Sequence, residues 1–292
     1  MYGKSRIIFH KKKIGLSEIK KIIPAVFTNT DIRGVTLAGG EPMLNEEIFN
    51  ITSFLSSLNI RVSITSNGIL LTEENVKRLI SCGMAHFEIS MPATEPEIFN
   101  KLCRSYNIKA VRAAMLNIKE QGAKLSVASM ICKMNYKSIT EIVEMSSAFG
   151  ADYFVFNRFV PGGKGKYFAD ELKLNQSELF HALSMANHAV VVNKIPIIVA
   201  IPVEHCILDT SSFKNLHFGT CGCGRAKWIV DPEGNLRCCE QNPLKLGNLL
   251  TEDFKTLSQK ADVKMFRDDN LSEYCTKKDC YKICGGGCRY CR

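Results

Sequence analysis

Nine of the chain's 13 cysteines fall between residues 221 and 291, and the other four are scattered through the first 206. This crowding constrains the fold more than anything else in the sequence. The N-terminus carries Lys11-Lys12-Lys13 but no apolar signal-peptide core beside it, so a secreted disulfide framework is not expected. Clustered thiols in a cytosolic chain read as metal ligands or redox groups. Their spacing is close: Cys221-x-Cys223, Cys238-Cys239, then Cys275-x4-Cys280-x3-Cys284-x3-Cys288-x2-Cys291. Zinc and iron–sulfur sites each take four such ligands. Nine cysteines supply two four-ligand sites with one left over, and spacing alone does not choose the metal.

The first 160 residues are patterned differently. Short apolar runs at 34–38, 61–65, 86–91, 125–131 and 153–160 alternate with stretches of helical periodicity. Pro24 limits the first helix, at residues 16–27. Thr72 is placed to cap one helix and Asn45 another. Five strand–helix repeats in a row predict a parallel sheet with helices outside, which is an α/β fold. Ligand sites in such folds lie at the C-terminal strand ends. Those ends carry Gly39 and Gly40, Ser66 to Gly68, Ser90, and Asn157 with Arg158. Two glycines after a strand mean a tight turn or a close approach of backbone to a ligand. The run Pro161-Gly162-Gly163-Lys164-Gly165-Lys166 fails the phosphate-loop spacing and reads as a loop leaving the sheet. The reading divides the chain at 1–160, 161–205 (a connecting segment with one helix) and 206–292.

Composition excludes several classes. Apolar residues at 46% and charged residues at 23% describe a chain that buries a core. The longest apolar stretch, residues 189–203, is broken by Lys194, Pro196 and Pro202, so no spanning helix is expected. A cytoplasmic protein without a membrane partner is the default. The net charge of +9 is read as a solvated basic face, compatible with an acidic peptide. Basic residues are not interleaved with aromatics, so a nucleic-acid partner is not expected.

Taken together, the glycine turn and the cysteine string resemble the radical S-adenosylmethionine (SAM) family, in its subgroup with a C-terminal SPASM domain. Gly39-Gly40-Glu41-Pro42 matches the family turn that binds the SAM amino group, and Ser66-Asn67-Gly68 matches its Thr/Ser-Asn-Gly turn. Ile89-Ser90-Met91 matches the strand whose serine faces SAM, with Pro92 where the family has an aspartate. Arg158 is placed to meet the SAM carboxylate. The resemblance implies a partial (β/α)6 TIM-like barrel missing its first strand, followed by the small cysteine-rich domain. It implies two auxiliary 4Fe-4S clusters, one on Cys221, Cys223, Cys239 and Cys288, the other on Cys275, Cys280, Cys284 and Cys291. Cys238 is the spare, and either it or Cys206 could substitute. The Cys275-x4-Cys280-x3-Cys284 spacing departs from the family's x2 and x5.

The family's radical chemistry uses Cys-x3-Cys-x2-Cys ahead of the glycine turn, and no such triplet precedes Gly39. The expectation is that it lies upstream of Met1, with gene truncation or true loss as alternatives. The resemblance implies an enzyme that modifies a peptide or protein through a 5′-deoxyadenosyl radical, reduced by a flavodoxin or ferredoxin. The competing readings are a non-catalytic iron–sulfur protein for electron transfer or scaffolding, and a zinc-ribbon protein contacting nucleic acid.

Overall fold

A computed structural model of the chain describes residues 13–27, 30–31, 33–105, 107–269 and 281–290. Helix α1 (Leu16–Phe27) leads into strand β1 (Gly34–Leu37). Alternation follows: α2 (Ile48–Ser57), β2 (Arg61–Ser66), α3 (Glu73–Ser81), β3 (Met84–Ser90), α4 (Pro96–Cys103) and α5 (Ile108–Glu120). Then come β4 (Lys124–Ile131), α6 (Ile139–Ala148), β5 (Tyr153–Arg158), α7 (Ala169–Leu172) and α8 (Gln176–Asn193). The sheet does not end near residue 160. Strands β6 (Ile197–Val199) and β7 (Leu216–Phe218) extend it, so seven strands run in the order β1 to β7, every neighbouring pair parallel. Sequence order equals spatial order, as successive right-handed strand–helix units require.

Alternation along each strand sends one set of side chains toward the helices and the other to the inner face. The helix-facing rows are fully apolar. Ile64, Phe87 and Leu125 sit side by side, as do Ile89, Val127 and Phe154, and all six are buried. Each such side chain contributes about 1.5–3 kcal/mol by leaving water. The inner face is polar. Thr65, Glu88, Ser126 and Tyr153 form one row across β2 to β5. His86 joins them, its Nε2 3.0 Å from both the Ser126 Oγ and the Tyr153 hydroxyl.

Caps explain several helix starts. The Thr72 Oγ1 accepts the Asn75 N–H at 3.2 Å, and Asn175 with Glu178 forms a reciprocal capping box on α8. Asn45 does not cap α2. Its Oδ1 accepts the Glu47 N–H, and its amide donates to the Ile14 carbonyl, tying α1 to the turn before α2. Helix α1 has the expected range 16–27 and runs three residues past Pro24. The helix is held on both sides of the proline's gap: Ile19 and Ile23 pack into the sheet's core, and Ile22 into a second core.

That second core belongs to the cysteine-rich region. Strands β8 (Ile229–Val230), β9 (Asn235–Arg237) and β10 (Gly247–Asn248) form a small antiparallel sheet. Asp231-Pro232-Glu233-Gly234 makes the turn between β8 and β9. The Asp231 carboxylate accepts the N–H groups of Glu233 and Asn235, and Gly234 takes the left-handed φ of +87° that the turn needs. Short helices α9 (Phe254–Ser258) and α10 (Ala261–Lys264) add Phe254, Leu257 and Val263 to Leu236, Leu246 and Leu249. Among the described residues no helix is long and apolar enough to cross a membrane.

Candidate functional site: glycine turns and a thiol cluster

A parallel sheet gathers the ends of its strands on one edge. The C-termini of β1, β2, β3 and β5 therefore bring residues 39–42, Ser66 and Asn67, Ser90 and Arg158 to the same rim. Gly39 adopts φ +145°, and a Cβ added at Gly39 or Gly40 would meet nothing within 4 Å. The backbone is thus bare and faces open space. Beside it, Pro42 opens a short 3-10 turn.

Glu41 is turned inward. Its Oε1 accepts the Ser66 hydroxyl at 2.8 Å and the Met43 N–H at 3.1 Å, and its Oε2 accepts the Asn67 N–H at 2.8 Å. One carboxylate therefore ties the turn after β1 to the turn after β2. Ser66 then accepts the Gly68 N–H, and Asn67 accepts that of Ile69. Hydrogen bonds to a charged carboxylate are worth about 1.5–3 kcal/mol, so the two turns are held as a unit. Ser90 is exposed at the end of β3. The open backbone at Gly39 and Gly40, backed by this rigid pair of turns, is a cradle that fits the amino-acid part of SAM. Arg158 is committed elsewhere: its guanidinium pairs with Glu204 at 2.7 Å and donates to the Pro202 carbonyl.

The cysteines separate into groups. Cys221 and Cys223 lie on a tight loop in which the N–H groups of Arg225, Ala226 and Lys227 all point at the Gly222 carbonyl. Cys239 follows β9. The Cys223 thiol hydrogen-bonds to both Cys221 and Cys239. Those bonds pull the Cys221 pKa down to about 6, aided by the charges of Arg289 and Lys227, and also lower that of Cys239. Cys223, between two partners it serves as donor, is pushed up. The Gln241 N–H points at the Cys239 sulfur from 3.4 Å. Cys223 thus sits between Cys221 and Cys239, and this row of thiols, two of them disposed to ionise, is a donor set that fits a thiophilic metal or an iron–sulfur cluster. Cys238 does not join them. It is buried in the second core against the Gly224 loop, and burial raises its pKa to about 11.

Cys284 and Cys288 flank Gly285-Gly286-Gly287. The Arg289 guanidinium donates to the carbonyls of Gly285, Gly287 and Arg267, which fixes this turn. Cys275, Cys280 and Cys291 lie outside the described residues, so the second proposed ligand set is represented by Cys284 alone. Cys284, Cys288 and Cys291 themselves stand at Cys-x3-Cys-x2-Cys, the radical-cluster spacing, but at the opposite end of the chain from where the family carries it.

Sequence reasoning passed over three acidic residues. Glu240 places a carboxylate oxygen within 4.8 Å of the Cys223 and Cys239 sulfurs and pairs with Lys227 at 2.9 Å. Burial works against its charge, but Lys227 more than offsets it, and the pKa is lowered. Glu88 sits on the inner face of the sheet, where burial raises its pKa against the lowering effect of a hydrogen bond from Thr65. Glu204 is the partner of Arg158. Adjacency to Cys239 is the one sequence signal for Glu240, and strand alternation with Ser90 is the one for Glu88.

Comparison with known proteins agrees with this geometry. Residues 3–146 match the Radical SAM superfamily. The chain is 21% identical over 275 residues to the mycofactocin maturase MftC of Mycolicibacterium smegmatis, covering 87% of this chain and 65% of that one. It is 31% identical over 134 residues to the GTP 3′,8-cyclase of Aquifex aeolicus, covering 45% and 42%. The chain therefore spans less than two thirds of the length of these relatives. Its fold resembles native anSMEcpe with bound AdoMet and Kp18Cys peptide, with a TM-score of 0.74 at 20% identity over 96% of this chain and 82% of that one. It also resembles Streptococcus suis SuiB, with a TM-score of 0.75 at 17% identity over 96% and 68%. By its parallel sheet, its paired glycine turns and the match over residues 3–146, the chain carries a Radical SAM superfamily region.

Proposed function

We propose that the chain is the SAM-binding barrel and auxiliary-cluster domain of a radical SAM/SPASM enzyme that modifies a peptide. The observation that carries this reading is the Glu41-tied pair of turns, with bare backbone at Gly39 and Gly40, on the same strand-end rim as Ser66 and Ser90. Gly39, Gly40, Ser66, Asn67 and Ser90 hold SAM. Cys221, Cys223, Cys239 and Cys288 hold one auxiliary 4Fe-4S cluster; Cys275, Cys280, Cys284 and Cys291 hold the other. When bound, SAM and a reduced four-iron cluster supply hydrogen-atom abstraction from carbon. The chain's own residues orient the cofactor and wall off water at the strand ends. A polar inner face centred on Glu88 and Thr65 offers hydrogen-bond acceptors to a peptide entering the sheet's concave side. MftC, a maturase, and SuiB, solved with its precursor peptide SuiA, are the relatives that support a peptide substrate. A flavodoxin or ferredoxin is the proposed electron source, and the cytoplasm the proposed compartment.

The test is SAM binding by calorimetry under anaerobic conditions, with iron and sulfide quantified on the same sample. Saturable binding, lost when Glu41 is replaced, supports the reading. With a Cys-x3-Cys-x2-Cys segment supplied, the protein should then release 5′-deoxyadenosine on reduction. Full iron loading with no SAM affinity would leave an iron–sulfur protein of another kind.

A further inference from the structure

Arg158 and Glu204 form the most enclosed ion pair among the described residues, with side chains 10% and 3% exposed. They join the end of β5 to the stretch that follows β6. A buried carboxylate needs partners for both oxygens. The Glu204 Oε2 has Arg158, but its Oε1 is buried without a hydrogen-bond partner among the described residues, and so is the Arg158 Nε. A pair enclosed with two unsatisfied atoms is weak support for stability by itself. What encloses it is informative. A methyl group added at Gly287 would lie 2.6 Å from the Glu204 Oε1 and closer still to its Cγ, and Gly287 sits at φ +71°. Only glycine fits there. The Gly287 N–H bonds back to the Cys284 carbonyl, and Cys288 follows directly. The glycine turn is thus gripped by Glu204 on one side and by Arg289, through the carbonyls of Gly285 and Gly287, on the other.

We infer that Glu204 is a positioning residue that seats the turn between Cys284 and Cys288 on the sheet's rim and sets the electrostatics of the metal centre that Cys288 shares with Cys221, Cys223 and Cys239. The inference rests on the proposed function, in which Cys284 and Cys288 are cluster ligands. It joins the SAM-side rim to the cysteine domain through one carboxylate, 46 residues from Arg158 in sequence and next to the turn only in space. The electrostatic sign is fixed. Reduction adds negative charge to a cluster, so removing the Glu204 charge favours the reduced form. The Arg158 charge left without its partner acts in the same direction.

The experiment uses the full chain, loaded anaerobically with ferrous iron and sulfide. Iron per chain, the electron paramagnetic resonance spectrum after reduction and a potentiometric titration are measured. Glu204→Gln keeps the side-chain shape; it should retain the wild-type iron content and shift the midpoint of one centre to more positive potential. Gly287→Ala should lose the iron of that centre. Gly287→Ala with Glu204→Ser restores space and should regain part of it, because alanine stays strained at positive φ. An unchanged potential and spectrum in Glu204→Gln, or full iron in Gly287→Ala, would overturn the inference. If Cys288→Ser keeps all its iron, the ligand assignment beneath it is what fails.

Discussion

The two regions of this molecule reach order by different means. The parallel sheet buries rows such as Ile64, Phe87 and Leu125 and needs nothing but its own side chains. Among the described residues the cysteine domain has a three-stranded sheet of two- and three-residue strands, a core of nine buried residues joined by Ile22 of α1, and a row of neighbouring thiols. A core that small supplies little net stability without a staple. The difference teaches where metal is expected to matter: the sheet is a scaffold, and the cysteine-rich region is proposed to be completed by a metal centre on its thiols.

Chelation is the strongest way to break that comparison. Stripping iron anaerobically should abolish the cooperative unfolding of the cysteine domain while the helical signal of the sheet survives, read by calorimetry and circular dichroism together. One shared transition, lost as a whole on chelation, would show that the two regions do not differ in this way. Phe87→Ala is the converse probe. Truncating a fully buried phenylalanine should cost the sheet about 3–5 kcal/mol with or without metal, measured by denaturant titration. Ile22→Ala should cost about 2–5 kcal/mol but from the cysteine-domain transition, although Ile22 lies on a helix of the sheet region. If it lowers the sheet's transition instead, the division into two cores is wrong. Glu41→Gln leaves both cores intact. Loss of charge-assisted bonds to Ser66 and Asn67, worth about 1.5–3 kcal/mol, should weaken SAM binding roughly ten- to a hundredfold.

The smallest effect is one of protonation. In the metal-free chain Cys221 titrates at about 6, against about 8.5 for an unperturbed cysteine. Its folded-state value is lowered, so the stabilisation is present above the unfolded value and is lost as pH falls through about 6. Iodoacetamide at neutral pH should therefore label Cys221 ahead of Cys238, which is buried and titrates at about 11. Equal labelling rates, followed by peptide mapping, would count against the converging thiols.

Much of this was legible in the sequence where local signals agree. Strands β1 to β5 announce themselves by apolar runs, and the first two run into Gly39 and Asn67, so the turns there follow from them. Strands β6 and β7 do not, because three residues carry no periodicity and Pro196 stands directly before Ile197. Helix α1 was legible over 16–27 as well, with Pro24 inside its last turn. For the site, the turns were readable but the inward use of the Glu41 carboxylate was not, since its partners lie 25 and 26 residues away. The thiol cluster was readable as a list of cysteines with Cys238 left over; that Glu240 approaches it depends on which way the chain turns after β9.

Helix α1 has one consequence for synthesis. Ile19 and Ile23 can pack as soon as the neighbouring helix and strands emerge, whereas Ile22 waits for Leu236, Leu249 and Phe254, encoded near the far end of the message. Half of an early helix thus stays greasy while the ribosome works through most of the chain. A nascent chain arrested before residue 236 should bind holdase chaperones through α1, and release them only when the cysteine-rich segment arrives to cover it.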